Sequence, residues 1–226
     1  MIIRKNAFTI SKKEQDAYIN GITALIADGT YGKLVAIHGR MMQHRMHSMG
    51  FPGDVGRKRF LPWHRAYLIK LEKELQKKEP DAFIPYWKWS DGKIPSWISA
   101  FQPSVNVPGQ GNIQVKRNVL SSPVAPASAS TSLLAIKTLF EFTSDLELGP
   151  HNKGHRDIGG PMATAYSPAD PMFFMHHCQV DRLWSEWQAL NPTKKSSLTG
   201  ADAIMDPWPD TVASLNSINL LGYRYA

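Results

Sequence analysis

The chain has 226 residues, of which 42% are apolar, 20% charged and 10% aromatic. This length and composition predict one globular domain with a hydrophobic core, and they exclude disordered, collagen-like and coiled-coil chains. The net charge of +7 is spread along the chain without a nucleic-acid-binding motif, so we expect no nucleic-acid partner. The single cysteine, Cys178, excludes an intrachain disulfide and a cysteine-rich metal site.

Targeting signals are not evident in the sequence. Residues 1–10 lack the apolar core of a signal peptide, and no stretch approaches the ~18 apolar residues of a membrane span. We therefore expect a soluble cytoplasmic protein with no membrane partner. The alternatives are export by a signal that has been trimmed from this sequence, or export with the help of a partner protein.

The first half of the chain contains three segments with helical periodicity. The first helix begins with a capping box at Ser11 and Glu14 and ends at Asp28 and Gly29. A second helix is predicted from about residue 33 to residue 46, before a turn-rich loop at residues 50–54. The clearest helix is predicted from His64 to the residue before Pro80, because its apolar side chains lie on one face.

The second half begins with residues 90–130, which are rich in Pro, Gly and Ser and predict a surface excursion without packed elements. Two further helices are predicted, at about 132–142 and 170–190. No internal repeat and no alternation of strands with helices occurs, so the predicted fold is mainly α with long irregular loops.

The eight histidines form two blocks, and this clustering is the strongest functional signal in the sequence. One block lies within residues 38–64 and the other within residues 151–177. A lone histidine is usually a structural residue, but two clusters predict metal binding.

The second block has the spacing of a metal site. His151 and His155 lie four residues apart, so that both imidazoles face one side of a helix. Asp181 follows His177 by four residues, where it could accept a ring N–H or cap a neighbouring group and so orient a ligand. We therefore predict that His177 is a ligand and that its neighbour His176 contacts the ligands without binding the metal itself.

Imidazole ligands suit copper, zinc, iron or nickel. The sequence lacks the Glu-x-x-His pairs of di-iron helical proteins and the His-Glu-x-x-His of zinc proteases. Two facing sites of three histidines each favour copper.

Four motifs in order along the chain resemble the tyrosinase family of type 3 copper proteins. They are FLPWHRAYL (60–68), IPYWKW (84–89), PHNKGH followed by IGG (150–160) and DPMFFMHHCQVDRLW (170–184). The resemblance covers most of the chain. It implies a four-helix bundle that holds a dicopper centre, with two copper ions that bind O2 between them as peroxide.

Carried over by position, the resemblance implies that two histidines bind the first copper and three bind the second. These are His38 and His64 for the first, and His151, His155 and His177 for the second. Many family members place the remaining ligand nine residues before the histidine of FLPWH, where this chain has Val55.

His47 is our predicted substitute for that ligand, with His44 as the alternative. On an unbroken helix His47 would lie about 180° from His38, so the helix must end before it. Its position beside the turn that begins at Gly50 allows His47 to swing into the site.

The resemblance implies an enzyme that oxidises phenolic small molecules with O2. The expected reactions are ortho-hydroxylation of monophenols and oxidation of o-diphenols to o-quinones. The alternatives are a catechol or o-aminophenol oxidase without monophenolase activity, a haemocyanin-like O2-binding domain, and a metal-free binding module. We expect residues 1–226 to form a single catalytic domain without a C-terminal shielding domain, served by a copper-delivery or covering partner if it has one.

Two polar residues are predicted to act on the substrate. In tyrosinase-like proteins a glutamate and an asparagine near the second copper hold a water that accepts the proton of a phenol. Glu147 and Asn152 occupy such positions here, and Glu141 is the alternative to Glu147. The resemblance also pairs the terminal Tyr-x-Tyr (223–225) with an N-terminal arginine, for which Arg4 is the candidate.

Overall fold

The structure is a computed structural model that describes residues 1–48, 50 and 54–226. It is mainly helical, as predicted. The helices are α1 (Lys12–Ala27), α2 (Thr30–Gly39), α3 (Met41–His44), α4 (Val55–Lys78), α5 (Ser96–Ser99), α6 (Ala127–Ala135), α7 (Leu139–Leu146), α8 (Asn152–Ile158) and α9 (Met172–Leu190). The strands are β1 (Ile2–Arg4), β2 (Ser104–Val107), β3 (Gly111–Gln114) and β4 (Tyr223–Tyr225).

The predicted capping box at the start of α1 is confirmed. The Ser11 side chain accepts from the Glu14 main-chain N–H, and the Glu14 carboxylate accepts from the Ser11 N–H. These bonds satisfy main-chain donors that the first turn of a helix leaves free. The predicted last helix, near residues 170–190, is likewise confirmed as α9.

The predicted helix at residues 33–46 is broken in the structure. Helix α2 ends at Gly39, and the short α3 ends at His44. Arg45 then has the left-handed conformation, with φ of +48°, which ends the helical path before His47. Most of the predicted turn at residues 50–54 lies outside the described residues.

Helix α4 begins nine residues earlier than predicted, at Val55. The Asp54 side chain caps it by accepting from the Gly56 main-chain N–H at 2.9 Å. Pro62 lies inside this helix. Because α4 packs against α1, α7 and α9, it is the central helix of the fold.

The prediction that residues 90–130 contain no packed element is wrong. They include α5 and an antiparallel hairpin of β2 and β3, and the hairpin buries Val105 and Val107. A side chain at Gly32 of α2 would collide with the main-chain oxygen of Asn106, so this glycine lets β2 lie against α2. The helix predicted at 132–142 is instead two helices, α6 and α7.

Helices α2, α4, α8 and α9 surround the histidines, and this arrangement confirms the predicted bundle. Their facing side chains form one apolar core, in which Phe173, Phe174 and Trp187 of α9 are fully buried. Within the described part of the chain, every helix is too short or too polar to cross a bilayer.

The two ends of the described chain are joined beside this core. Strand β1 pairs in parallel with β4, and Arg4 is fully buried there. Its guanidinium donates to Glu72 at 2.9 and 3.1 Å, contacts Asp181 at 3.2 Å and lies 3.8 Å from the ring centroid of Tyr223. The expected pairing of Arg4 with the terminal tyrosines is therefore present, with two buried carboxylates in addition.

We predict that Arg4→Ala lowers the free energy of unfolding by about 3–5 kcal/mol, because it leaves the buried Glu72 carboxylate without its cation. The cation–π contact alone would account for no more than about 2 kcal/mol. Arg224→Ala is the matched control: Arg224 lies on the exposed side of β4, and its loss should change stability by less than ~0.5 kcal/mol. Urea unfolding of both variants measures the difference, and equal losses would contradict this role of Arg4.

Candidate metal centre

The first histidine group consists of His38, His47 and His64. One ring nitrogen from each lies within 4.8 Å of the others. His38 is on α2 and His64 on α4, whereas His47 lies in the loop that follows α3. The structure thus brings together the three residues that the sequence predicted for one copper.

The second histidine group is formed by residues at the start of α8 and within α9. His151 ends a π-helical turn, Glu147–His151, and His155 follows one turn later on α8. The structure places a nitrogen of His151, His155 and His176 within 4.8 Å of one another. His177, the predicted ligand, contacts the same group, because its Nε2 lies 3.3 Å from Nε2 of His151.

Hydrogen bonds distinguish His176 from His177. The Trp89 indole N–H donates to Nδ1 of His176 at 3.0 Å, and Nε2–H of His176 donates to the His151 carbonyl at 3.1 Å. Both nitrogens of His176 are therefore occupied, as expected for a supporting residue. A Cβ at Gly154 would lie 2.4 Å from the His176 ring, which explains the glycine in PHNKGH.

The expected contact between Asp181 and His177 is absent from the described structure. Asp181 instead accepts from Arg65 at 2.5 Å and from Tyr223 at 2.7 Å, and it contacts Arg4. Burial acts to raise the pKa of Asp181, but the two arginines, together with hydrogen bonds from Tyr225 and Tyr223, hold the pKa below its usual value. Nδ1 of His177 is buried without a partner among the described residues.

The two groups adjoin. The rings of His64 and His177 stack with centroids 4.1 Å apart, and those of His47 and His151 are 5.8 Å apart. Two metal ions held by these groups would therefore be neighbours in one centre.

In three imidazoles, a hydrogen bond to a main-chain carbonyl determines which ring nitrogen is left without a hydrogen-bond partner. In each of these rings Nδ1–H donates to a carbonyl, and Nε2 is buried without a partner among the described residues. The pairs are His38 with Ala165 at 2.8 Å, His64 with Phe60 at 2.7 Å, and His155 with Met162 at 2.6 Å. A buried nitrogen lone pair without a hydrogen bond is costly unless a metal occupies it.

Burial keeps these imidazoles neutral. It lowers the pKa of four of them well below the usual value of a histidine, with smaller contributions from neighbouring histidines. The four are His38, His64, His151 and His177. Burial also lowers the pKa of His155 to about 4. Neutral imidazole is the form that binds a metal ion.

His44, the alternative ligand, points elsewhere. Its Nδ1 bonds to Asp206 at 2.7 Å, and its ring stacks on Trp63 with centroids 6.0 Å apart. The described structure does not place it in either histidine group. The loop after Arg45 brings His47 to the first group instead.

The predicted substrate-handling residues lie at the centre. Glu147 is 3% exposed, and its Oε1 accepts from Nδ1–H of His47 at 3.1 Å. Asn152 Oδ1 accepts from Nδ1–H of His151 at 3.0 Å. Glu141 is exposed and bonds to Thr138 at the start of α7, so it does not replace Glu147.

A cavity of about 470 Å³ opens onto both histidine groups. Glu147 is the only carboxylate that the described structure places in its wall. The histidines in the wall are His38, His47, His151 and His155, with Asn152 and Arg156 beside them. Substrate-sized molecules can therefore approach the centre from this side.

Two residues that support the metal centre were not predicted from the sequence. Trp89 lies in the quoted motif IPYWKW, but nothing in the motif indicates its bond to His176. Ser48 donates its main-chain N–H to Glu147 at 2.9 Å, and its hydroxyl accepts from Arg57 at 2.9 Å. The Trp89–His176 and Ser48–Glu147 contacts join residues distant in sequence, and only their position beside predicted ligands could have suggested them.

The residues present fit a pair of copper ions. Copper accepts imidazole ligands, and the centre offers two adjoining groups of imidazoles, most of which are buried. The partnerless Nε2 atoms of His38, His64 and His155 are consistent with metal binding.

Comparisons with known proteins agree with this centre. The family model described as the common central domain of tyrosinase matches residues 28–132 and 114–190. A tyrosinase of Streptomyces glaucescens is 29% identical, in an alignment that covers 93% of this chain and 94% of that protein. Hemocyanin 2 of Megathura crenulata is 26% identical over 96% of this chain, which corresponds to 7% of that protein.

Solved structures share the fold. A polyphenol oxidase of Thermothelomyces thermophila (mutant G292N) superposes with a TM-score of 0.72 at 21% identity, over 100% of this chain and 89% of that chain. Together with the two histidine groups, these matches define the class: the chain belongs to the tyrosinase family of type 3 copper proteins.

We predict that His47→Ala removes one of two coppers and nearly all oxidase activity, because the first histidine group then keeps only two imidazoles. His44→Ala is the matched control and should keep two coppers and substantial activity. Metal analysis of the purified variants measures both. The reverse pattern would assign the ligand to His44, and two coppers in both variants would require a different ligand.

Proposed function

We propose that the protein catalyses the copper-dependent oxidation of phenols by O2. The proposed reactions are ortho-hydroxylation of monophenols and oxidation of o-diphenols to o-quinones. The observation that carries this proposal is the cavity of about 470 Å³ that reaches both histidine groups. A cavity of about 150 Å³ can hold benzene, so a phenol ring fits with space to spare.

The proposed copper ligands are three histidines for each ion. His38, His47 and His64 would hold the first, and His151, His155 and His177 the second. Two bound copper ions would supply the electrons that reduce O2. The chain's own contribution is to orient the imidazoles and to hold most of them buried beside an open cavity.

The access of substrate favours an enzyme over an O2 carrier. Haemocyanins are among the relatives, so a haemocyanin-like role is the second candidate function. An O2 carrier needs no room for a phenol beside the metals, whereas here Glu147, Asn152 and His155 all line the cavity.

Glu147 and Asn152 are the proposed residues for handling the phenol proton. Free phenols have a pKa near 10, so hydroxylation at neutral pH requires a proton acceptor. Oε2 of Glu147 is buried without a partner among the described residues, and Glu147 lines the cavity. A water held between this oxygen and Asn152 would accept the proton and pass it to the carboxylate.

Copper-loaded protein should consume O2 when it is given either a monophenol or a matched o-diphenol, with a quinone as product. An oxygen electrode and absorbance of the quinone measure this directly. Oxidation of the diphenol alone would make the protein a catechol or o-aminophenol oxidase. Reversible O2 binding without turnover would make it haemocyanin-like.

We predict that Asn152→Ala or Glu147→Gln slows monophenol hydroxylation at least about tenfold, or ~1.4 kcal/mol of barrier, and changes diphenol oxidation much less. The reason is that a catechol depends less on a proton acceptor. Steady-state rates on the matched substrate pair measure the ratio. Equal losses on both substrates would mean that these residues only support the metal centre.

A further inference from the structure

His47 differs from the other proposed ligands in how it is held. It follows the left-handed Arg45, outside any helix. Main-chain carbonyls hold Nδ1 of His38 and His64, whereas Nδ1 of His47 donates to the carboxylate of Glu147 at 3.1 Å. Oε1 of Glu147 also accepts the Ser48 main-chain N–H at 2.9 Å, so the carboxylate fixes both the ring and the backbone beside it.

Glu147 also contacts the second histidine group. Its main-chain carbonyl accepts from Nδ1–H of His151 at 3.1 Å. The turn Glu147–His151 is π-helical, Gly149 within it departs from helical geometry with ψ of −109°, and the Glu147 carbonyl also accepts the Asn152 main-chain N–H. One buried residue therefore bonds to a proposed ligand of each copper, by its side chain on one side and its backbone on the other.

From this geometry we infer that Glu147 is a positioning residue that couples the two copper sites. Its carboxylate orients His47 for the first ion, while its carbonyl orients His151 for the second. The inference rests on the ligand set given under Proposed function, but not on any catalytic activity. Partners that orient a ligating histidine typically change metal affinity by about 10–100-fold, so the first site should depend on this carboxylate to a similar degree.

The side-chain bond can be removed while the backbone bond stays. Glu147→Ala deletes the carboxylate, and Glu147→Asp withdraws it from His47 by one methylene while keeping its charge. Glu147→Gln keeps an oxygen that accepts from both N–H donors. Asp145→Ala is the matched control, since Asp145 is an exposed carboxylate on the neighbouring helix α7.

Each variant is equilibrated with copper at a free concentration set by a chelator, and copper per chain and electron paramagnetic resonance are recorded. We expect two coppers in the unmodified protein, in Asp145→Ala and in Glu147→Gln. Glu147→Ala and Glu147→Asp should bind the first copper about 10–100-fold more weakly. At intermediate copper they should hold one Cu(II), which gives a paramagnetic signal that a coupled pair does not.

Full retention of two coppers at unchanged affinity in Glu147→Ala and Glu147→Asp would overturn the inference. If Glu147→Ala fails to fold, as judged by thermal unfolding without metal, Glu147→Asp decides. Equal weakening in Glu147→Gln would also contradict it, because that variant preserves the acceptor oxygen. Failure of the unmodified protein to bind two coppers would instead overturn the ligand set itself.

Discussion

The structure depends on main-chain carbonyls that accept the N–H groups of three imidazoles at the centre. A neutral histidine has one donor nitrogen and one acceptor nitrogen, and burial makes an unpaired donor costly. Carbonyls of Phe60, Met162 and Ala165 accept the Nδ1–H groups here, so the backbone decides which nitrogen stays free. Metal-binding geometry is therefore fixed mainly by the positions of main-chain atoms.

The segment between α8 and α9 serves both histidine groups at once. Met162 supports a histidine of the second group, and Ala165 supports one of the first. Gly159 and Gly160 turn the chain into this segment with positive φ, and a side chain at Gly160 would collide with the Lys116 carbonyl. The IGG that follows PHNKGH thus belongs to the centre, although none of its residues is a proposed ligand.

The sequence predicted the helical fold, the two histidine blocks and the i, i+4 pair His151 and His155, because all of these depend on local spacing. The preference for His47 over His44 also followed from local reasoning, since a helix must end between His38 and His47. The contact of Asp181 with a histidine ring was predicted wrongly, because its partners Arg4 and Arg65 lie 177 and 116 residues away in the chain. The hairpin of β2 and β3 was missed for a similar reason: its valines are buried only by packing against distant elements.

Asp181 pairs with arginines and not with a histidine, and among the described residues Glu147 is the only carboxylate in the cavity wall. The charge of Asp181 is balanced by two buried arginines on the side of α9 that faces the joined chain ends. A second carboxylate beside the imidazoles would compete as a metal ligand and favour harder ions than a histidine-only set does. The fold directs Asp181 to the arginines, the proposed ligands are all imidazoles, and the carboxylate that the described residues place in the cavity wall, Glu147, is held by the N–H groups of His47 and Ser48.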